Sequence, residues 1–131
     1  MARVFNLVLF DGTITGDTIA NNPPVFYTSQ EHASLLGSVE RLQMQMIIRA
    51  STSLPSTVDV VYQMTNVPEY DAWVDSSAKS VSTGGSASTL PAVGFDNISS
   101  IANQAAYGRF KIFCSTSSTV QFQLVVSGYA D

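Results

Sequence analysis

Two stretches of the chain alternate apolar and polar residues almost without a break, and they limit its folds more than any other feature. In Arg41–Ala50 and Thr57–Thr65, every second position is apolar: Leu42, Met44, Met46 and Ile48, then Val58, Val60, Tyr62 and Met64. In Arg109–Cys114 and Thr119–Ser127 the same holds for Phe110, Ile112 and Cys114, then Val120, Phe122, Leu124 and Val126. A period of two is that of a β-strand with one face on a core. A short turn joins the members of each pair, so each pair is expected to form a hairpin.

Weaker signals fill the gaps. Val4–Phe10, Asp11-Gly12 and Thr13–Ile19 suggest another hairpin, or a bend between two sheets, because Asp-Gly suits a two-residue turn. Asn21-Asn22-Pro23-Pro24 breaks the pattern before a short edge strand at Val25–Tyr27. Ser29 can cap one helical turn through Leu36, or the segment is loop. Beyond Thr65, Asn66-Val67-Pro68 turns the chain, and the stretch to Gly84-Gly85-Ser86 reads as loop with short strands. Ser88–Val93 is an edge strand at best, since it contains Pro91. Phe95–Ala106 suits an extended or a short-helical connection equally. Many strands, frequent turn signals and no long amphipathic helix point to an all-β, two-sheet antiparallel sandwich, with a jelly roll as first choice. Residues 1–131 are expected to form one domain, with 1–30 as an N-terminal hairpin or arm engaged in subunit contacts.

Only 12% of residues are charged, against ~25% in ordinary soluble proteins. Ser, Thr and Gln take their place, as on a surface packed against copies or partners, although Thr-rich strands and Ser-rich turns alone give the same composition. A net charge of −4 with six scattered Lys and Arg speaks against a nucleic-acid partner. Cys114 is the only cysteine and falls on an apolar strand face, where it packs as a small hydrophobe. The apolar run at the start contains Asn6 and ends at Asp11-Gly12, so it reads as a strand and not a signal peptide. No stretch approaches the ~20 apolar residues of a membrane-spanning helix.

The chemistry of catalysis is sparse. His32 is the only imidazole and lies in Gln-Glu-His-Ala-Ser, without a nucleophile elbow. One Cys and one His cannot close a zinc shell. Glu69, Asp71 and Asp75 cluster around Trp73, but lack the spacing of a calcium loop or of paired glycosidase carboxylates, and a solvated acidic loop explains them as well. No phosphate-binding glycine loop occurs. Neither an enzyme, a cofactor nor a metal is therefore expected. Tyr70 and Trp73 could form a stacking platform for a sugar ring, or Trp73 could anchor its loop to the sandwich edge.

Val58-Asp59-Val60-Val61-Tyr62-Gln63-Met64-Thr65-Asn66 followed by Trp73, and Gly108-Arg109-Phe110-Lys111-Ile112 with Val120–Ser127, resemble small jelly-roll virion proteins of tailed phages, of the capsid decoration or cement type. Tyr107, Gly108, Arg109 and Phe110 and the closing Ser127-Gly128 occupy places of that pattern. The sequence departs from it where Val67-Pro68-Glu69-Tyr70-Asp71 replaces an Asp-Gly turn, which lengthens the turn and removes the basis for carrying over a sugar site. The resemblance implies a virion structural protein, made in the host cytoplasm and seated on a capsid, with itself as partner, as a homotrimer, and with other capsid proteins.

On this reading the functional site is an interface, expected at Val4, Phe5, Leu7 and Leu9 and at Pro23, Pro24, Phe26 and Tyr27, where apolar residues exceed what one thin core needs. A carbohydrate-binding module using Tyr70 and Trp73, and a self-assembling principal coat protein, are the alternatives.

Overall fold

The computed structural model describes residues 2–16, 23–99, 103 and 105–130. Eight strands form two antiparallel four-stranded sheets: β1 (Ala2–Thr15), β2 (Phe26–Tyr27), β3 (Arg41–Ser51), β4 (Thr57–Thr65), β5 (Val74–Ser82), β6 (Ala92–Ile98), β7 (Tyr107–Cys114) and β8 (Thr119–Ala130). One sheet, A, has the order β1-β8-β3-β6 and the other, B, the order β2-β7-β4-β5. Strands 1 and 8, 2 and 7, 3 and 6, and 4 and 5 are neighbours, so a ribbon folded double wraps around the core, as in a jelly roll. The all-β sandwich expected from the alternation is the fold.

The alternating residues behave as their period requires. Leu42, Met44, Met46, Ile48, Val58, Val60, Tyr62, Phe110, Ile112, Cys114, Val120, Phe122, Leu124 and Val126 are all buried in one core cluster, and Met64 is half-buried against it. Each such side chain contributes about 1.5–3 kcal/mol by leaving water. The two expected hairpins, however, do not exist. β3 pairs with β6 and β8, whereas β4 pairs with β5 and β7, and β7 and β8 likewise lie in different sheets. The connections 52–56 and 115–118 cross from one layer to the other, over a separation of about 10 Å. Both faces of a sandwich point at one core, so alternation is the same whether the next strand pairs or crosses.

The expected N-terminal hairpin is also absent. β1 runs straight through Asp11-Gly12, pairs with β8 along its length, and absorbs two register shifts, between Arg3 and Phe5 and between Val8 and Phe10. No described glycine has a positive φ, so Asp-Gly makes no primed turn here. Residues 17–19 of the expected return strand and Asn21-Asn22 lie outside the described residues. β2 is the expected short edge strand and pairs with Ile112 and Lys111.

Ser29 accepts a hydrogen bond from the Glu31 N–H at the start of a 3-10 turn, Gln30–His32, which leads into the helical turn α1 (Ala33–Gly37). Leu36 of α1 is fully buried and plugs one end of the sandwich. The stretch after Thr65, expected to be loop with short strands, contains β5, a nine-residue edge strand beside β4; its mainly Ser, Ala and Lys sequence hides its length. The Phe95–Ala106 segment continues β6 to Ile98; residues 100–102 and 104 lie outside the described residues. No helix among the described residues is long and apolar enough to cross a membrane.

Candidate functional site

Two surfaces concentrate exposed or unusual chemistry, one on the outer face of each sheet. On sheet B, outward Arg109 of β7 lies opposite outward Gln63 of β4. The Arg109 Nε–H donates to Gln63 Oε1 at 2.8 Å, and Gln63 Nε2 donates in turn to Asp75 Oδ1 at 2.8 Å. The guanidinium is held between two rings, with Tyr27 of β2 at 4.0 Å on one side and Trp73 at 4.4 Å on the other. Asp71 Oδ1 stands 3.8 Å from Arg109 Nη1, and the arginine side chain is only 11% exposed. Asp71 has φ of 52°, a left-handed backbone that folds the lengthened turn after Pro68–Tyr70 back over the sheet. Tyr27, Arg109 and Trp73 thus clasp the edge strand β2 and the 68–73 turn to β7.

This clasp decides how the residues expected around Trp73 are used. Trp73 is half-buried, with a ring face on Arg109 and its indole Nε1 buried without a hydrogen-bond partner. Tyr70 projects, 75% exposed. Of the acidic cluster, Asp71 faces Arg109 and Asp75 serves Gln63; among the described residues no three His, Cys, Asp or Glu side chains come together as metal ligands. His32 sits in the 3-10 turn with Nε2 3.3 Å from Glu31 Oε1. Cys114 is buried at the far end of β7, with its Sγ near Thr116 and the Ser118 carbonyl. His32 and Cys114 therefore do not form a nucleophile–base pair. Burial raises the Tyr62 hydroxyl well above its ordinary range, and that hydroxyl donates to Asn103 Oδ1 at 2.7 Å. Asn103 Nδ2 bonds the carbonyls of Leu36 and Val39, so this polar group is structural and closed.

The residues expected to form an interface divide. Val4 is 55% exposed, whereas Phe5, Leu9 and Phe26 pack on the core cluster and Leu7 is half-buried beside Val126. Pro24 is exposed; Pro23 lines a shallow pocket with Val25, Lys111 and Phe113; Tyr27 is committed to the clasp.

Sheet A carries a surface that sequence reasoning missed. Its outward residues form rows across all four strands: Val8, Val125, Gln45 and Phe95 in one, and Asp11, Gln123, Ile47 and Val93 in the next. The row beyond Val8 is Asn6, Ser127, Gln43 and Asn97. Val8 is 55% and Phe95 65% exposed, so apolar side chains stand at both edges of this face, with Val125, Gln45, Gln123 and Ile47 between them and the Arg49 guanidinium on Gln123 Oε1 at 2.6 Å, 3.8 Å from Asp11 Oδ1. The signal in the sequence is the doubled apolar pairs Ile47-Ile48 and Val125-Val126, in which one member must face away from the core.

Known structures share the fold. The chain is similar to XepA, an exported protein of PBSX, at 14% identity and a TM-score of 0.60, over 98% of this chain and 38% of that one. It therefore spans well under half of that protein. It is also similar to a carbohydrate-binding module from the family 9 glycoside hydrolase Cel9A of Ruminococcus flavefaciens FD-1, at 12% identity and a TM-score of 0.57, over 98% and 99% of the two chains. The VP2 subviral particle of infectious bursal disease virus follows at 9% identity and a TM-score of 0.52, over 95% and 32%. No family model and no curated protein matches the sequence. At these identities the likeness shows the fold, which viral capsid proteins and carbohydrate-binding modules share.

Proposed function

We propose that the protein is a virion structural protein, a decoration or cement subunit that stabilises a capsid by protein–protein contact. The observation that carries this reading is the outer face of sheet A, where Val8, Val93 and Phe95 are exposed on a sheet surface whose two central rows hold one ion pair, Asp11 with Arg49. Large apolar side chains left exposed together on one sheet face mark a contact surface. A subunit of this kind works by free energy of association, so the absence of a nucleophile–base pair at His32 and Cys114 is in keeping with it. The capsid proteins among the structural neighbours support the same reading.

The test is mass spectrometry of particles purified from the virus or host that carries the coding sequence. The chain should be present at a fixed ratio to the main shell protein; a ratio at which it is itself the main shell protein would make it the coat subunit. Its absence from particles would overturn the proposal.

One observation favours a second reading, a carbohydrate-binding module: the likeness to the Cel9A module covers 99% of that chain, a whole domain and not a part. The ligand would lie at Tyr70 and the open side of Trp73. A glycan array giving signal that Trp73→Ala abolishes would establish it, and a silent array would remove it.

A further inference from the structure

We infer that the end of the outer face of sheet A built by Arg3, Tyr129 and Arg41 is a docking point for carboxylate side chains of an acidic partner protein. The inference deepens the proposed function, and it rests on that reading for the partner being a protein.

The pairing of the cations carries the argument. The chain has six Lys and Arg against ten Asp and Glu, so carboxylates are in excess. Arg49 meets Asp11, Lys79 meets Asp96 and Arg109 meets Asp71, while Lys111 lies over the Phe113 ring. Arg3 and Arg41 are both level with Tyr129, on the two strands that flank β8, so their Cα atoms are roughly 10 Å apart on one face. Among the described residues neither has a carboxylate partner, not even Glu40, the neighbour of Arg41 in the chain. Arg41 lies 5.2 Å from the Tyr129 ring, and its Nε–H is buried without an acceptor. Buried donors are normally satisfied and like charges on one face repel, so both guanidiniums gain from an anion placed between them.

The next row, Asn6, Ser127, Gln43 and Asn97, points the same way. Asn6 Oδ1 accepts from the Ser127 hydroxyl at 2.8 Å, and Gln43 Oε1 accepts from the Tyr129 hydroxyl at 3.4 Å. Both amides use their acceptor ends within the face and keep their NH2 groups for another partner. Two guanidiniums and two amide NH2 groups, with no described carboxylate in either row, form a patch of donors. Carboxylates satisfy such a patch, whereas a second copy of it is repelled. Beyond it come Val8, Val125 and Phe95, and then the Arg49–Asp11 pair. A partner laid along the strands meets donors first and apolar side chains next, an order that fixes the direction in which it lies.

The probe is a tetraglutamate peptide, titrated into the isotope-labelled full chain and followed by nuclear magnetic resonance. The Nε–H signals of Arg3 and Arg41 should shift, while that of Arg109, held by Gln63 and two rings, should stay. Tetraglutamine should shift neither. Silence at Arg3 and Arg41, or an equal shift at Arg109, would overturn the inference. Sodium sulfate should bind at least about tenfold more weakly than the peptide, because one small anion cannot engage both rows. Equal affinity would mark a general anion site and overturn the assignment to an acidic protein. Arg3→Gln/Arg41→Gln should weaken peptide binding about tenfold or more, whereas Lys111→Gln on the other sheet should change it less than about twofold; equal effects would overturn the inference. Arg3 is exposed, so Arg3→Gln alone, expected to weaken binding about threefold, serves if the double variant melts early. On particles that carry the chain, the double variant should detach at lower salt than the parent. Equal retention would remove this end from the contact and leave the proposed function. Absence of the chain from particles would remove the proposed function, and the peptide titration would still decide the site.

Discussion

Arg109 is the residue on which the outer face of sheet B depends, because one guanidinium fills the gap between Tyr27 and Trp73 and bonds Gln63. Arg109→Ala should lower the stability by about 2–4 kcal/mol, since two ring contacts and a charge-assisted hydrogen bond are lost at a mostly buried site. Trp73 is the only tryptophan, so urea unfolding followed by its fluorescence reads both the stability and the release of the ring. Arg109→Lys should recover less than half of the loss, because an ammonium cannot stack flat between two rings. Tyr62 makes a second residue-level prediction. Its hydroxyl bonds Asn103 in the core, and Tyr62→Phe leaves Asn103 Oδ1 without that donor, which should lower the stability by about 1–2 kcal/mol. The folded protein holds the phenolic proton more tightly than the unfolded chain, whose tyrosine ionises near pH 10. The stability contribution is therefore intact below pH 10 and falls as pH rises above it. Parent and Tyr62→Phe proteins should accordingly converge in stability above pH 10, as denaturation curves at stepped alkaline pH would read. None of the Arg109 clasp was legible in the sequence: alternation put Arg109 and Gln63 on an outer face, but nothing local says that Tyr27, far away in the chain, closes on them.

At the scale of elements, the strands were legible and their partners were not. Strand position follows from the period of side chains, a local property, whereas partnership depends on whether a short connection turns within a sheet or crosses the core. The 52–56 and 115–118 connections both cross, so β3 and β4, like β7 and β8, face each other through the core. Asp11-Gly12 misled for a related reason, since the dipeptide permits a turn without requiring one, and β8 offers partners along the whole of β1. The extent of β5 was not legible, beyond short strands in a loop, because its two faces are both largely polar and the period is silent. Two close approaches fix how the elements fit. A Cβ on Gly108 of β7 would overlap the Tyr62 hydroxyl, and one on Gly128 of β8 would overlap the Phe5 ring. Gly108→Ala should therefore destabilise by about 2 kcal/mol or more, as thermal melting would show, because Tyr62 is fully buried and tied to Asn103. The 68–73 turn gives the converse case. Asp71→Gly should leave the protein equal or more stable by up to about 1 kcal/mol, since glycine accepts the left-handed backbone freely and the exposed carboxylate contributes little. Asp71→Val should destabilise by about 1–2 kcal/mol in the same melting series.

For the molecule as a whole, the core is closed within one chain, yet the outer face of sheet A leaves Val8, Val93 and Phe95 exposed. Lys79 and Asp96, 3.2 Å apart, bridge the open edge between β5 and β6 and are among the few charges used to hold the two layers together. The composition showed that charges were few; only the register of β1, β8, β3 and β6 showed that Val8, Val125, Ile47, Val93 and Phe95 share one face. Imaging of the purified particles at a resolution that separates strands tests the central claim, that this sandwich functions by covering sheet A with other protein. We expect the sandwich on the shell, with Val8 and Phe95 buried against a neighbouring subunit. Particles that lack it, or that carry it with this face open to solvent, would contradict the claim.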